Sequence, residues 1–137
     1  MNKLFITLAV TSMVFSCQLP GTSQGDCTQF KTGKFVLHGK WSHIDYLIER
    51  NNNTQKETSV RTGSSVSFKI NWTSPCDYEL TYLSRNIMPG DTTMARPMPK
   101  PIKATITETS KAYYIFSAKV DGSSFAYVDT VFVMPLH

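Results

Sequence analysis

Three cysteines, Cys17, Cys27 and Cys76, are the most reactive residue types in this chain of 137 residues. A cysteine can serve as a catalytic thiol, a metal ligand or half of a disulfide. A zinc site wants four ligands at short spacings, but no Cys-x-x-Cys occurs and the histidines are only His38, His43 and His137. A catalytic thiol needs a base beside it, and nothing near Cys76 in "NWTSPCDYELTYL" (71–83) supplies one. His38 and His43 bracket "GKWS" and, with Asp45, could hold a metal if a turn folded them together. A turn histidine is more often only solvated. Asp77 and Glu79 alternate along one strand face. Paired carboxylates can hydrolyse glycosides, but these two alternate with Thr81 on what reads as a solvent face. No G-x-S-x-G, P-loop or G-x-G-x-x-G is present. No catalytic residue, metal site or cofactor is expected.

The first seventeen residues, "MNKLFITLAVTSMVFSC", carry Lys3 and then an apolar run from Leu4 to Phe15. That pattern is a secretory signal, too short for a spanning helix of roughly 20 apolar residues. Its end, Val14-Phe15-Ser16-Cys17, resembles a bacterial lipoprotein signal, in which the cysteine after the cut bears the lipid. The resemblance implies a lipid anchor at Cys17. The alternative is an ordinary cleaved signal with a coincidental cysteine. By the same resemblance Gln18, in place of Asp, implies the outer membrane, facing the periplasm. Residues 18–26 read as a tether, broken by Pro20, Gly21 and Gly25. The formal charge of +4 falls by one with Lys3, a mild balance that fits anionic headgroups and does not call for nucleic acid. In an oxidising compartment the two remaining cysteines, Cys27 and Cys76, are expected to pair. Two free buried thiols are the competing reading.

The elements that must position these residues follow a period of two. In "SVSFKINW" the residues Val66, Phe68, Ile70 and Trp72 face one way, the mark of a half-buried strand. Ser74-Pro75 turns the chain into "CDYELTYL", whose inner face carries Cys76, Tyr78, Leu80 and Tyr82. "KFVLHG", "IDYLIER", the polar "TQKETSV", "IKATITE", "AYYIFSAKV" and "SFAYVDTVFV" add six more strands. Asp121-Gly122 is a strong hairpin signal between the last two, which are apolar on both faces. Eight strands joined by short turns predict an all-β antiparallel meander over 27–137, closing into a barrel or half-barrel. The exception is 84–101, rich in proline and methionine, which reads as a long loop and a candidate lid.

Aromatic side chains could line one interior: Trp41, Tyr46, Phe68, Trp72, Tyr78, Tyr82, Tyr114, Phe116, Phe125 and Tyr127. An eight-stranded barrel either fills with side chains or holds one small ligand. Phe68, Trp72, Tyr78 and Tyr82 are the candidate ligand-lining residues. "CTQFKTGKF" (27–35), "IERNNNTQKET" (48–58) and "NWTSPCDYELTYL" resemble a group of small secreted Bacteroidetes lipoproteins. The group is lipocalin-like in strand number and has no established activity. Its occasional label as a DNA topoisomerase IV subunit finds no support in a short chain with a secretory signal. Gly39-x-Trp41 is similar to the lipocalin Gly-x-Trp, although it falls after the first strand rather than at its start. The expectation is a lipid-anchored envelope protein that is not an enzyme. It either binds a small apolar ligand in its barrel or, with the barrel filled, docks an envelope protein.

Overall fold

A computed structural model describes residues 25–40, 42–93 and 100–135. One 3-10 turn (Thr28–Phe30) precedes eight strands: β1 (Gly33–His38), β2 (Asp45–Arg50), β3 (Thr54–Ser59), β4 (Ser65–Trp72), β5 (Asp77–Asn86), β6 (Ile102–Thr109), β7 (Tyr113–Val120) and β8 (Tyr127–Val133). Each strand pairs antiparallel with its sequence neighbours, and β8 returns to β1 through Phe35↔Val133, Val36↔Phe132 and Leu37↔Val131. The sheet is therefore a closed barrel in which every strand has two neighbours, although β5 pairs with β6 only from Asp77 to Leu80.

Alternation decides what goes inside. Phe35, Ile48, Phe68, Ile70, Tyr78, Leu80, Ala104, Ile106, Tyr114, Phe116 and Val131 are buried. Outward mid-strand positions carry Lys34, Glu49, Lys56, Lys69 and Lys103. This is the inverse of a membrane-spanning barrel, whose outer band is apolar. Among the described residues no helix is long and apolar enough to cross a membrane.

The two ends differ. At the base, the 3-10 turn tucks Phe30 under the barrel against Tyr114 and Phe35, with ring centroids 4.8 and 6.4 Å away. Gly33 enters β1 with φ +135°, and a Cβ there would sit 3.2 Å from the Phe35 ring. The Gly-x-aromatic at the start of the first strand is thus Gly33-Lys34-Phe35; Trp41 lies outside the described residues. Cys27 and Cys76 are bonded across the base, with Cα atoms 5.2 Å apart. Cys17 and the tether before residue 25 also lie outside the described residues.

Several boundaries differ from the sequence expectation, each for a local reason. Cys76 sits in the turn before β5 rather than on its inner face, because the Cys76 and Asp77 amides both donate to Ser74 Oγ (3.2 and 2.9 Å). Strand β5 runs on through Ser84, Arg85 and Asn86, which pair with Ser67, Val66 and Ser65. The loop therefore starts at residue 87. A register shift between Ser67 and Phe68 leaves Leu83 as an extra residue of β5, while β4 itself keeps alternating, with Val66, Phe68 and Ile70 toward the core. The β7–β8 connection is longer than a two-residue hairpin and spans 121–126, with Gly122 at φ +82° supplying the left-handed turn.

Candidate functional site

The barrel is filled at its base and hollow above it. A cavity of about 280 Å³ opens toward the end where β7 turns into β8. Its apolar wall includes Leu37, Ile48, Leu80, Ile102, Ala104, Phe116, Ala118 and Val131, and Phe125 stands at the rim, 69% exposed. Of the four candidate lining residues, Tyr78 is on this wall. Phe68 is core, and Trp72 and Tyr82 pack against the core from the side; these three do not line the cavity. Trp72 stacks on Tyr78 at 4.8 Å, and its buried Nε1 has no hydrogen-bond partner among the described residues.

The polar groups inside come from β2 and β3. Arg50 is 5% exposed and forms the floor. Its Nε and one terminal nitrogen donate to Gln55 Oε1 (2.8 and 2.6 Å), the other donates to Phe30 O (2.8 Å), and Tyr114 and Tyr78 hydroxyls accept at 3.1 and 3.4 Å. Phe35, Trp72, Tyr78 and Tyr114 rings surround the guanidinium, with centroids 4.9–5.7 Å from its Cζ. Burial opposes the charge of Arg50, but Tyr114 and Tyr78 hold its pKa above the ordinary value. Gln55 passes the polarity on, donating from Nε2 to Glu57 Oε1 at 2.7 Å.

Glu57 projects into the cavity from the middle of β3, between Ile48 and Val66. It meets the cavity space and is otherwise enclosed by protein. Burial therefore pushes its carboxyl above the ordinary 4.5, although the Gln55 hydrogen bond and the Arg50 charge pull the other way. The hydroxyls of the buried Tyr114 and the half-buried Tyr127 feel this carboxyl and stay protonated well beyond the normal range, Tyr127 also because it donates to Asp129. A raised carboxyl binds more protons folded than unfolded, so its contribution to stability falls as pH rises above 4.5. Glu57→Gln keeps an acceptor for Gln55 and is expected to melt higher than the wild type at neutral pH. The difference should close as pH falls toward 4.5, in melting curves followed by circular dichroism across that range. A parallel pH dependence in both proteins would remove Glu57 as its source.

Near the mouth, Asp129 is 1% exposed. It accepts from the Tyr127 hydroxyl and the Lys40 amide (3.4 Å), with Lys40 Nζ at 3.7 Å. The described part of the loop after β5 is tied to the β3–β4 turn: Met88 N donates to Ser64 Oγ at 2.9 Å, and Thr62 Oγ1 to Asp91 Oδ2 at 2.6 Å. None of residues 87–93 lines the cavity, and Met94 and Met98 lie outside the described residues.

The other candidates do not converge. His38 Nδ1 and Asp45 Oδ1 meet at 2.9 Å across β1 and β2, both well exposed, while His43 is exposed in the turn with φ 52°. Among the described residues, no three His, Cys, Asp or Glu side chains gather as a metal site. Asp77 accepts from Ser74 Oγ and Thr105 Oγ1, each at 2.6 Å, which lowers its pKa and locks a turn. Arg50, Gln55 and Glu57 are the functional residues that motif reading missed. The available signal was the alternation itself, since Ile44, Tyr46 and Ile48 continue to Arg50.

Fold and site together define an up-and-down eight-stranded antiparallel barrel, sealed at one end and hollow toward the other. The chain matches no protein-family model, no curated protein and no solved structure.

Proposed function

We propose that this protein is a lipid-anchored component of the bacterial cell envelope that holds one small, largely apolar molecule in its barrel. The cavity carries this reading. At about 30 Å³ per water it has room for roughly nine waters or one small molecule of that bulk, and its wall is mainly aliphatic and aromatic with few polar groups, as ligand pockets are. The Cys27–Cys76 bond supports an oxidising compartment, and the segment ending at Cys17 supports secretion and anchoring. A second reading, docking of an envelope partner, is favoured by the outer surface where β7, β8 and β1 meet. There Val128 and Phe132 are 49% and 41% exposed, and Phe132 pairs across with Val36 and Tyr113.

The test is native mass spectrometry of the Cys17→Ser chain secreted to a bacterial periplasm. A reproducible extra mass, lost on denaturation, is expected. Ala118→Trp, which places an indole in the cavity, should abolish that mass while changing stability by no more than about 1–3 kcal/mol. A clean apo mass in the unmodified chain would move the weight to the docking surface.

A further inference from the structure

We propose that the molecule this cavity accepts is an apolar amine, held by Glu57 as the counter-ion of its ammonium group. This rests on the reading of the barrel as a small-molecule binder. Most polar groups deep in the wall are committed, and Lys119, which also borders the cavity, is exposed to solvent and makes no ion pair with Glu57. Arg50 directs its donors at Gln55, Phe30, Tyr78 and Tyr114, so it is a floor rather than an anion trap. Gln55 spends its oxygen on Arg50 and its amide on Glu57. Tyr127 donates to Asp129.

Glu57 is different. One oxygen accepts from Gln55, and among the described residues no other donor reaches the carboxylate and no cation lies within ion-pair distance. An ionised carboxylate facing an apolar wall is costly until a charged or hydrogen-bonding partner arrives. With Gln55 the one donor that reaches it among the described residues, the second oxygen is left for a partner the ligand can bring. An ammonium would also have Tyr114, Phe116 and Tyr127 on the same wall, and aromatic rings attract cations. An anionic ligand would meet Glu57 as a like charge and find Arg50 already occupied. The cost of ionising Glu57 in the empty barrel agrees with the upward displacement of its carboxyl.

The experiment measures binding of three probes of similar shape to the purified, oxidised chain by isothermal titration calorimetry: phenethylamine, phenethyl alcohol and hydrocinnamate. The amine is expected to bind at least about tenfold more tightly than the alcohol, as a charge-assisted hydrogen bond gives, and hydrocinnamate weakest of all. In Glu57→Gln the advantage of the amine should disappear while the alcohol is unaffected, which also shows that the variant is folded. Equal binding of amine and alcohol in the wild type, or tightest binding of hydrocinnamate, would overturn the assignment of Glu57 and leave the barrel a binder of another chemistry. No binding by any probe would overturn the amine ligand together with the small-molecule reading beneath it.

Discussion

Arg50→Ala is expected to destabilise the fold by about 3–5 kcal/mol, the range for removing one member of a buried charged network or truncating a large core side chain. Three effects act together. The Phe30 carbonyl and Gln55 Oε1 lose their donors within the base, and a buried acceptor left unpaired costs about 1–3 kcal/mol. The four rings packed around the guanidinium are left facing a void. Glu57 also loses the cation that lowers its pKa, so its charge becomes harder to keep. Against a typical domain stability of ~5–15 kcal/mol, the urea midpoint should fall by on the order of 2 M. Arg50→Lys should recover only part of the loss, since one ammonium cannot reach the acceptor directions that a guanidinium serves. A midpoint within about 0.5 M of the wild type would show that the rings alone hold the base.

Breaking the Cys27–Cys76 bond should have a comparable effect. The bond spans 49 residues, and the chain-entropy relation assigns a loop of that size about 4 kcal/mol. For a domain of this size that corresponds to a melting point lower by roughly 15–25 °C. Cys27→Ala with Cys76→Ala is the cleaner variant, because both positions are buried (1% and 8% exposed) and serine would bury two hydroxyls. Thermal unfolding of the wild type with and without reductant provides the control. There is also a local consequence. Cys27 leads directly into the turn that carries Phe30, so its release should loosen the base before the strands separate. Near-ultraviolet circular dichroism, which reports the Phe30–Tyr114–Phe35 cluster, should change at temperatures where the far-ultraviolet signal is still native. Identical melting in both redox states would remove the bond from the stability of the fold.

The architecture was legible because most strands alternate over their whole length. "SVSFKINW" and "IKATITE" could be assigned a dry face from residue types alone, and Asp121-Gly122 marked the turn between β7 and β8. The cavity's chemistry was less legible because its polar residues imitate a surface. Gln55, Glu57 and Ser59 make the inner face of β3 as polar as its outer face, so nothing in "TQKETSV" says which side is in. What keeps them inside is a set of partners on other strands. Gln55 satisfies Arg50 of β2, which also meets Tyr78 of β5 and Tyr114 of β7, and no window along the chain contains that set. Phe68, Trp72 and Tyr82 were expected at the cavity because they share a face with Tyr78. They do share it, since Phe68↔Tyr82 through Trp72↔Tyr78 is one unbroken register, but Phe68 is taken up by the core and Trp72 and Tyr82 pack against that core instead of meeting the cavity.

The base of the barrel also gives the molecule a direction. The chain enters at Cys27, and the end of β8 leaves beside the start of β1, where Met134 N donates to Lys34 O at 3.0 Å. Both ends of the described domain therefore lie at the sealed end, with the mouth at the opposite pole. A surface attached at either end would meet the base first, with the opening on the far side, like a cup set on a stalk. On the ligand-binding reading proposed above, the molecule would then enter from the side away from that surface. An immobilised sensor coupled through either terminus would leave the opening unobstructed.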